Sequence, residues 1–206
     1  MRFIVFHSHF RPGGVRRVIE SALPGLVRGM GRRVEHVEFL CGEAPEAGWL
    51  EAVRTRVRPV PLGVTADPSL GYRSEQPLSG LRLRHRIRGC LTRAFAGGEG
   101  DGCVVWGHNL SLGRNLDAAR LLVETCSERG IPLVLHHHDW WFDNRWQRWA
   151  EMRGSGALSP RDVARVLLAD VPSIRHATIN RADAALLEPH LPGRTAWIPN
   201  PVEAGT

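Results

Sequence analysis

Lysine is missing from this chain: all 27 basic residues are arginine, and the formal charge is +6. We read that uniformity as GC-rich coding rather than as selection for phosphate contacts. No run of 18 apolar residues occurs, so no membrane-spanning helix is expected. No secretory leader is expected either, because the chain opens directly on a strand pattern. The four cysteines, Cys41, Cys90, Cys103 and Cys126, lie far apart and make no CxxC pair. Reduced, buried thiols in a cytoplasmic protein are therefore the expectation. No nucleic-acid-binding motif accompanies the positive charge, so nucleic acid is not an expected partner. The full GxGxxG dinucleotide fingerprint is also absent.

What is present is a regular alternation of strand and helix signals. Residues 2–6 form a β-branched and aromatic run suited to a strand buried on both faces. A polar loop follows, and Gly13-Gly14 then opens a helix with Val15, Val18, Ile19 and Ala22 at helical spacing. Glycines let a ligand come close to the backbone, and the free N–H groups of a helix start attract anions. The alternative is a plain structural turn. Further strands are expected at 33–40, 57–60, 103–106, 131–135, 177–180 and 195–198. Helices are expected at 49–54, 78–95, 112–129, 159–169 and 182–187. Ser159-Pro160 reads as N-cap and first turn. The pattern predicts an α/β fold: a Rossmann-like, doubly wound, mostly parallel sheet in one domain over 1–206.

Ligands in such folds bind outside the carboxyl ends of the strands. Polar clusters fall there repeatedly: His7-Ser8-His9, His108-Asn109, His136 to Asp139, Asn180-Arg181 and Asn200. On an extended strand His136 and His138 share a face, and His137 points to the opposite packing layer. Trp140, Trp141, Trp146 and Trp149 gather near Phe142, Arg145 and Arg148. They suit either a satellite core or a platform for a sugar face or lipid tail, with arginines meeting a phosphate. Arg82, Arg84, Arg86 and Arg88 lie on one helix and read as a solvated face, the sharper alternative being contact with an anionic membrane surface or an acidic partner.

Five short motifs in order resemble the N-terminal half of family-4-like glycosyltransferases with the two-lobed GT-B fold. PGGVRRVIE is similar to the family's glycine loop and first helix, and VVWGHN to its fourth-strand motif. LVLHHHDWW resembles the strand that ends in His-Asp, HATINRADAALL the following strand and helix, and TAWIPNPV the stretch closing the lobe. The resemblance implies hexosyl transfer from a nucleotide-sugar donor to a carbohydrate or glycolipid acceptor, with retention and no essential metal. No cofactor is implied, since the nucleotide sugar is a substrate. Carried over by position, Gly13 and Gly14 would meet the donor phosphates. His138 and Asp139 would be catalytic, at the transferring sugar. His108, Asn109, Trp140, Arg145 and Asn200 would line the acceptor and sugar side.

The family's second lobe, which grips the nucleotide, is not in this sequence. The expectation is therefore a fragment, a truncated product or one half of a two-chain enzyme with that lobe supplied in trans. That puts the activity of the isolated chain in question. The expected location is the cytoplasm, with peripheral contact at the inner membrane face as an alternative. Two rival classes stay open. One is a non-catalytic carbohydrate- or partner-binding lobe. The other is a metal-dependent hydrolase using His7 and His9, which share a face after the first strand, with His108 and His138-Asp139 joining them in a metal cluster.

Overall fold

Alternation within the strands decides the layering. In β1 (Arg2–His7), Phe3 and Val5 join one apolar layer, while Ile4 and Phe6 join the other. A strand buried on both faces needs helices on both sides. The computed structural model describes residues 1–98, 102–143 and 149–201. Among them, β1 lies in a seven-stranded sheet with β2 (His36–Cys41), β3 (Leu62–Ala66), β4 (Cys103–His108), β5 (Leu133–His137), β6 (Ile174–Thr178) and β7 (Thr195–Trp197). The order is β3-β2-β1-β4-β5-β6-β7, and every pairing is parallel. The fold is thus the expected Rossmann-like α/β sheet.

On one face, α1 (Gly14–Met30) and α2 (Ala47–Val57) bury Ile19, Leu23, Val27, Trp49, Val53 and Val57 over β1, β2 and β3. On the other, α3 (Gly80–Ala94) and α4 (Leu116–Glu128) bury Leu83, Ile87, Leu91, Leu121 and Leu122 over β1, β4 and β5. A satellite core joins α4 to α5 (Trp149–Gly154), α6 (Pro160–Leu167) and α7 (Arg181–Leu187). Trp140 and Trp141 are buried in it beside Met152, Val163 and Leu187. Arg145, Trp146 and Arg148 fall outside the described residues. No described helix is long and apolar enough to cross a membrane.

Several boundaries move from their expected places. The third strand is Leu62–Ala66, not 57–60, because Val57 is the last buried residue of α2. The sixth strand is Ile174–Thr178, not 177–180. The fourth helix begins at Leu116 rather than 112: residues 110–112 make a 3-10 turn, Gly113 is left-handed, and the Asn115 side chain caps α4 by accepting from the Ala118 N–H. In α3, Arg84 pairs with Asp117 at 2.9 Å and Arg86 with Asp67 at 3.0 Å, so two of the four clustered arginines brace the fold.

Candidate active site

The strand order reverses between β1 and β4. From β1 the chain steps one way to β2 and β3; beyond β4 it steps the other way to β5, β6 and β7. The connecting loops part at such a switch point and leave a crevice at the carboxyl ends of the strands. β1 ends in His7, β4 in His108 and β5 in His136-His137. The parallel register puts His108 directly beside His136.

Four imidazoles therefore meet at one rim. The His7 Nδ1 lies 3.1 Å from the His108 carbonyl oxygen. The His108 Nδ1 lies 3.1 Å from the His138 Nε2, so one of the two nitrogens donates and the other accepts. The His136 ring stands 4.5 Å from His138 and 5.3 Å from His108. His7, His108 and His136 are buried, while His138 is half-buried and opens the group to solvent. Burial disfavours the imidazolium. It lowers the pKa to about 4 at His7 and at His136, to about 3 at His138, and well below 6.5 at His108. All four rings are neutral at physiological pH and can donate or accept a hydrogen bond or offer a lone pair.

His137 faces the other way, as strand alternation requires. Its Nε2 lies 3.0 Å from the His176 Nδ1, and the His176 Nε2 lies 3.1 Å from the Ala169 carbonyl oxygen. A carbonyl only accepts, so His176 donates from Nε2 and His137 donates to His176. The pair forms a buried structural brace.

Asn109 follows β4 in a left-handed conformation, φ 56°. Its amide Nδ2 donates to the Asp139 carboxylate at 2.9 Å, and its Oδ1 accepts from the Asp139 N–H at 3.0 Å. Ser111 Oγ donates to the Asp139 carbonyl at 2.6 Å. The loop carrying His138 and Asp139 is thus fastened to the end of β4. Trp140 turns its ring against His137 and donates its indole N–H to Asp183 at 2.8 Å. Asn200 is exposed in the segment after β7.

Gly13 and Gly14 begin α1, where no side chain caps the helix and no acidic residue stands in the first turn. A Cβ on Gly14 would meet nothing within 4 Å, and one on Gly13 only the Arg11 carbonyl at 3.9 Å. Neither packing nor φ demands glycine there. An open cavity of about 210 Å³ lies at this helix start, lined by Pro12, Gly13, Arg16, Arg17 and Glu20.

Arg11 braces the two loops opposite, which nothing in the sequence marked in advance. Arg11 donates to Glu43 at 2.8 Å and to Glu75 at 3.0 Å, joining the turns after β1, β2 and β3. The signal was three unremarkable charges far apart in sequence. His9, one of the pair considered for a hydrolase, packs edge-on against Tyr72, with ring centroids 4.8 Å apart. Among the described residues, His108, His136 and His138 form a group of three within joint metal-ligand reach, and His7 and His9 are not members of it.

No family model matches the chain. It is 23% identical over 204 residues to the mannosylglucosyl-3-phosphoglycerate synthase of Petrotoga mobilis, a glycosyltransferase. The match covers 97% of this chain and 37% of that protein. Together with the parallel Rossmann-like sheet, the similarity supports a glycosyltransferase-like fold. The chain spans little more than a third of its relative's length.

Proposed function

We propose that this chain is the N-terminal, acceptor-side lobe of a GT-B glycosyltransferase. In this reading it transfers a sugar from a nucleotide-sugar donor to a carbohydrate or glycolipid acceptor, with retention and without an essential metal. The remaining machinery for the nucleotide comes from a second lobe, in cis or in trans. The observation that carries the reading is the crevice at the switch point: neutral imidazoles from three strand ends share the ligand-binding rim of the sheet with an uncapped helix start.

Each part has a role. The departing diphosphate gains negative charge, and backbone N–H groups of Gly13 and Gly14, with Arg16 and Arg17 nearby, meet it. The glycines leave the space that a phosphate needs. The half-buried His138 offers its ring to a sugar hydroxyl or to the oxygen on which charge develops. Asn109 orients Asp139 beside it. His108 supports His138 through the 3.1 Å contact.

The test is sugar transfer measured across a panel of nucleotide sugars, in the full-length gene product or with a nucleotide-binding lobe added. Gly14→Ala is expected to leave the melting temperature unchanged or raise it, since alanine is the better helix former by about 0.5–1 kcal/mol. The same variant is expected to weaken donor binding at least about tenfold, and His138→Ala to lower the rate by about 10² or more. Full transfer by both variants would overturn the reading. Glycan binding without transfer by the two-lobed protein would establish the non-catalytic lobe instead.

A further inference from the structure

The three histidines at the ends of β4 and β5 form a group that hydrogen bonding within the protein does not complete. His108 and His136 are 1% and 2% exposed. Among the described residues, the His108 Nε2 and both ring nitrogens of His136 have no hydrogen-bond partner of good geometry. The Ile198 carbonyl nevertheless lies near enough to His136 to favour its protonated form slightly. Buried polar atoms are rarely left in this state, and such an exception calls for an unseen ligand or a functional role. One nitrogen from each of His108, His136 and His138 lies within 4.8 Å of the others.

We propose that His108, His136 and His138 bind a divalent transition-metal ion, with zinc the best-suited occupant. Three imidazoles with a fourth position open are a recurring zinc arrangement, and nitrogen ligands favour Zn²⁺, Ni²⁺, Cu²⁺ and Co²⁺ over Mg²⁺ or Ca²⁺. The backbone supports it. His108 and His136 sit on adjacent strands in fixed register, so two ligands are placed by the sheet itself. The third, His138, belongs to the loop fastened by Asn109 and Ser111 and stands at the solvent side, which gives the ion its way in.

Metal and sugar would compete for the same imidazole, His138. The ion is therefore an inhibitor of the proposed transfer and not a participant, and the site stands whether or not the transfer reading does. Its test uses the metal alone, with no donor or acceptor. Metal-stripped protein is titrated with ZnCl₂ by calorimetry, and with CoCl₂ by visible absorption, where low-symmetry nitrogen coordination gives d–d bands of raised intensity. The expected result is one ion per chain, with affinity about 100-fold or more lower in His138→Ala and in His136→Ala. His9→Ala should bind as the parent does. Circular dichroism selects variants that keep the fold, and His138→Ala, at the rim, is the one least exposed to that risk. Failure of the folded parent to bind either metal, or undiminished binding by folded His138→Ala, would overturn the proposal.

Discussion

Replacing Asn109 separates backbone strain from hydrogen bonding at the rim. The residue adopts φ 56° and makes two bonds to Asp139, of 2.9 and 3.0 Å. Asn109→Gly keeps the left-handed backbone and loses both bonds. A neutral bond contributes about 1 kcal/mol and one to a carboxylate about 1.5–3, so with half-buried partners the loss should be about 2 kcal/mol. Asn109→Ala loses the same bonds and adds about 1 kcal/mol for a Cβ in the left-handed region. Asn109→Asp keeps an acceptor for the Asp139 N–H but sets one carboxylate against another. Like charges at that distance raise one of the two carboxyl pKa values in the folded state above its unfolded value near 3.9. The folded protein then binds more protons than the unfolded chain between those values. Its deficit against the parent is therefore largest at neutral pH and shrinks as pH falls through the raised pKa. Urea unfolding of the three variants, at about pH 7 and about pH 4.5, reads each quantity. Equal losses in the glycine and alanine variants would refute the strain argument. Losses below about 0.5 kcal/mol in both would refute the claim that Asn109 fastens the His138 loop.

Gly42→Ala should be the most damaging glycine substitution near the crevice, by about 3 kcal/mol in thermal unfolding, because its methyl would stand 2.2 Å from the Gly71 nitrogen and 2.8 Å from the Ser8 carbonyl. A change within about 0.5 kcal/mol would show that these turns yield easily. Ser159→Ala removes half of the capping box with Asp162 and should cost about 1 kcal/mol, read by chemical denaturation; no loss would mean that α6 is held by packing alone. Burial lowers the pKa of His176 below 6.5. The neutral form then contributes stability that is complete above 6.5 and lost as pH falls below it. His176→Asn should flatten the fall in urea midpoint between about pH 7 and about pH 5, and an unchanged slope would remove His176 from the acid response.

Fold class was legible because strand and helix periods differ and because the strands read as short, doubly buried runs. The edges were harder. β3 pairs on one side only, and its sequence, Leu62–Ala66, includes Gly63, where a Cβ would strike the Glu38 carboxylate at 2.4 Å. An edge strand with a glycine imposed by its neighbour carries little of the hydrophobic alternation that marks a strand. In β6, Arg175 and His176 hid the pattern: one is exposed, the other is buried by a partner 39 residues away. Propensity cannot anticipate a polar residue buried by a distant partner.

The site was legible in its parts. Alternation alone separated His136 and His138 from His137, and the structure shows the split, with one pair at the crevice and His137 braced on His176. That they share a rim with His108 was expected from the strand ends, but the direct pairing of His108 with His136 was not legible, because it follows from strand order. β4 and β5 extend two residues beyond the expected runs, and the extension carries His108 and His136 into neighbouring ladder positions. Once paired, the two rings are placed by backbone hydrogen bonds and need no side-chain partner to hold them. That is why the fold can keep them buried, neutral and incompletely bonded. A rim positioned by the sheet retains its geometry while its nitrogens stay open to a ligand, whether a sugar oxygen or a metal ion. The same logic holds at Gly14, where the helix start is fixed by α1 packing and the glycine leaves the space outside it open.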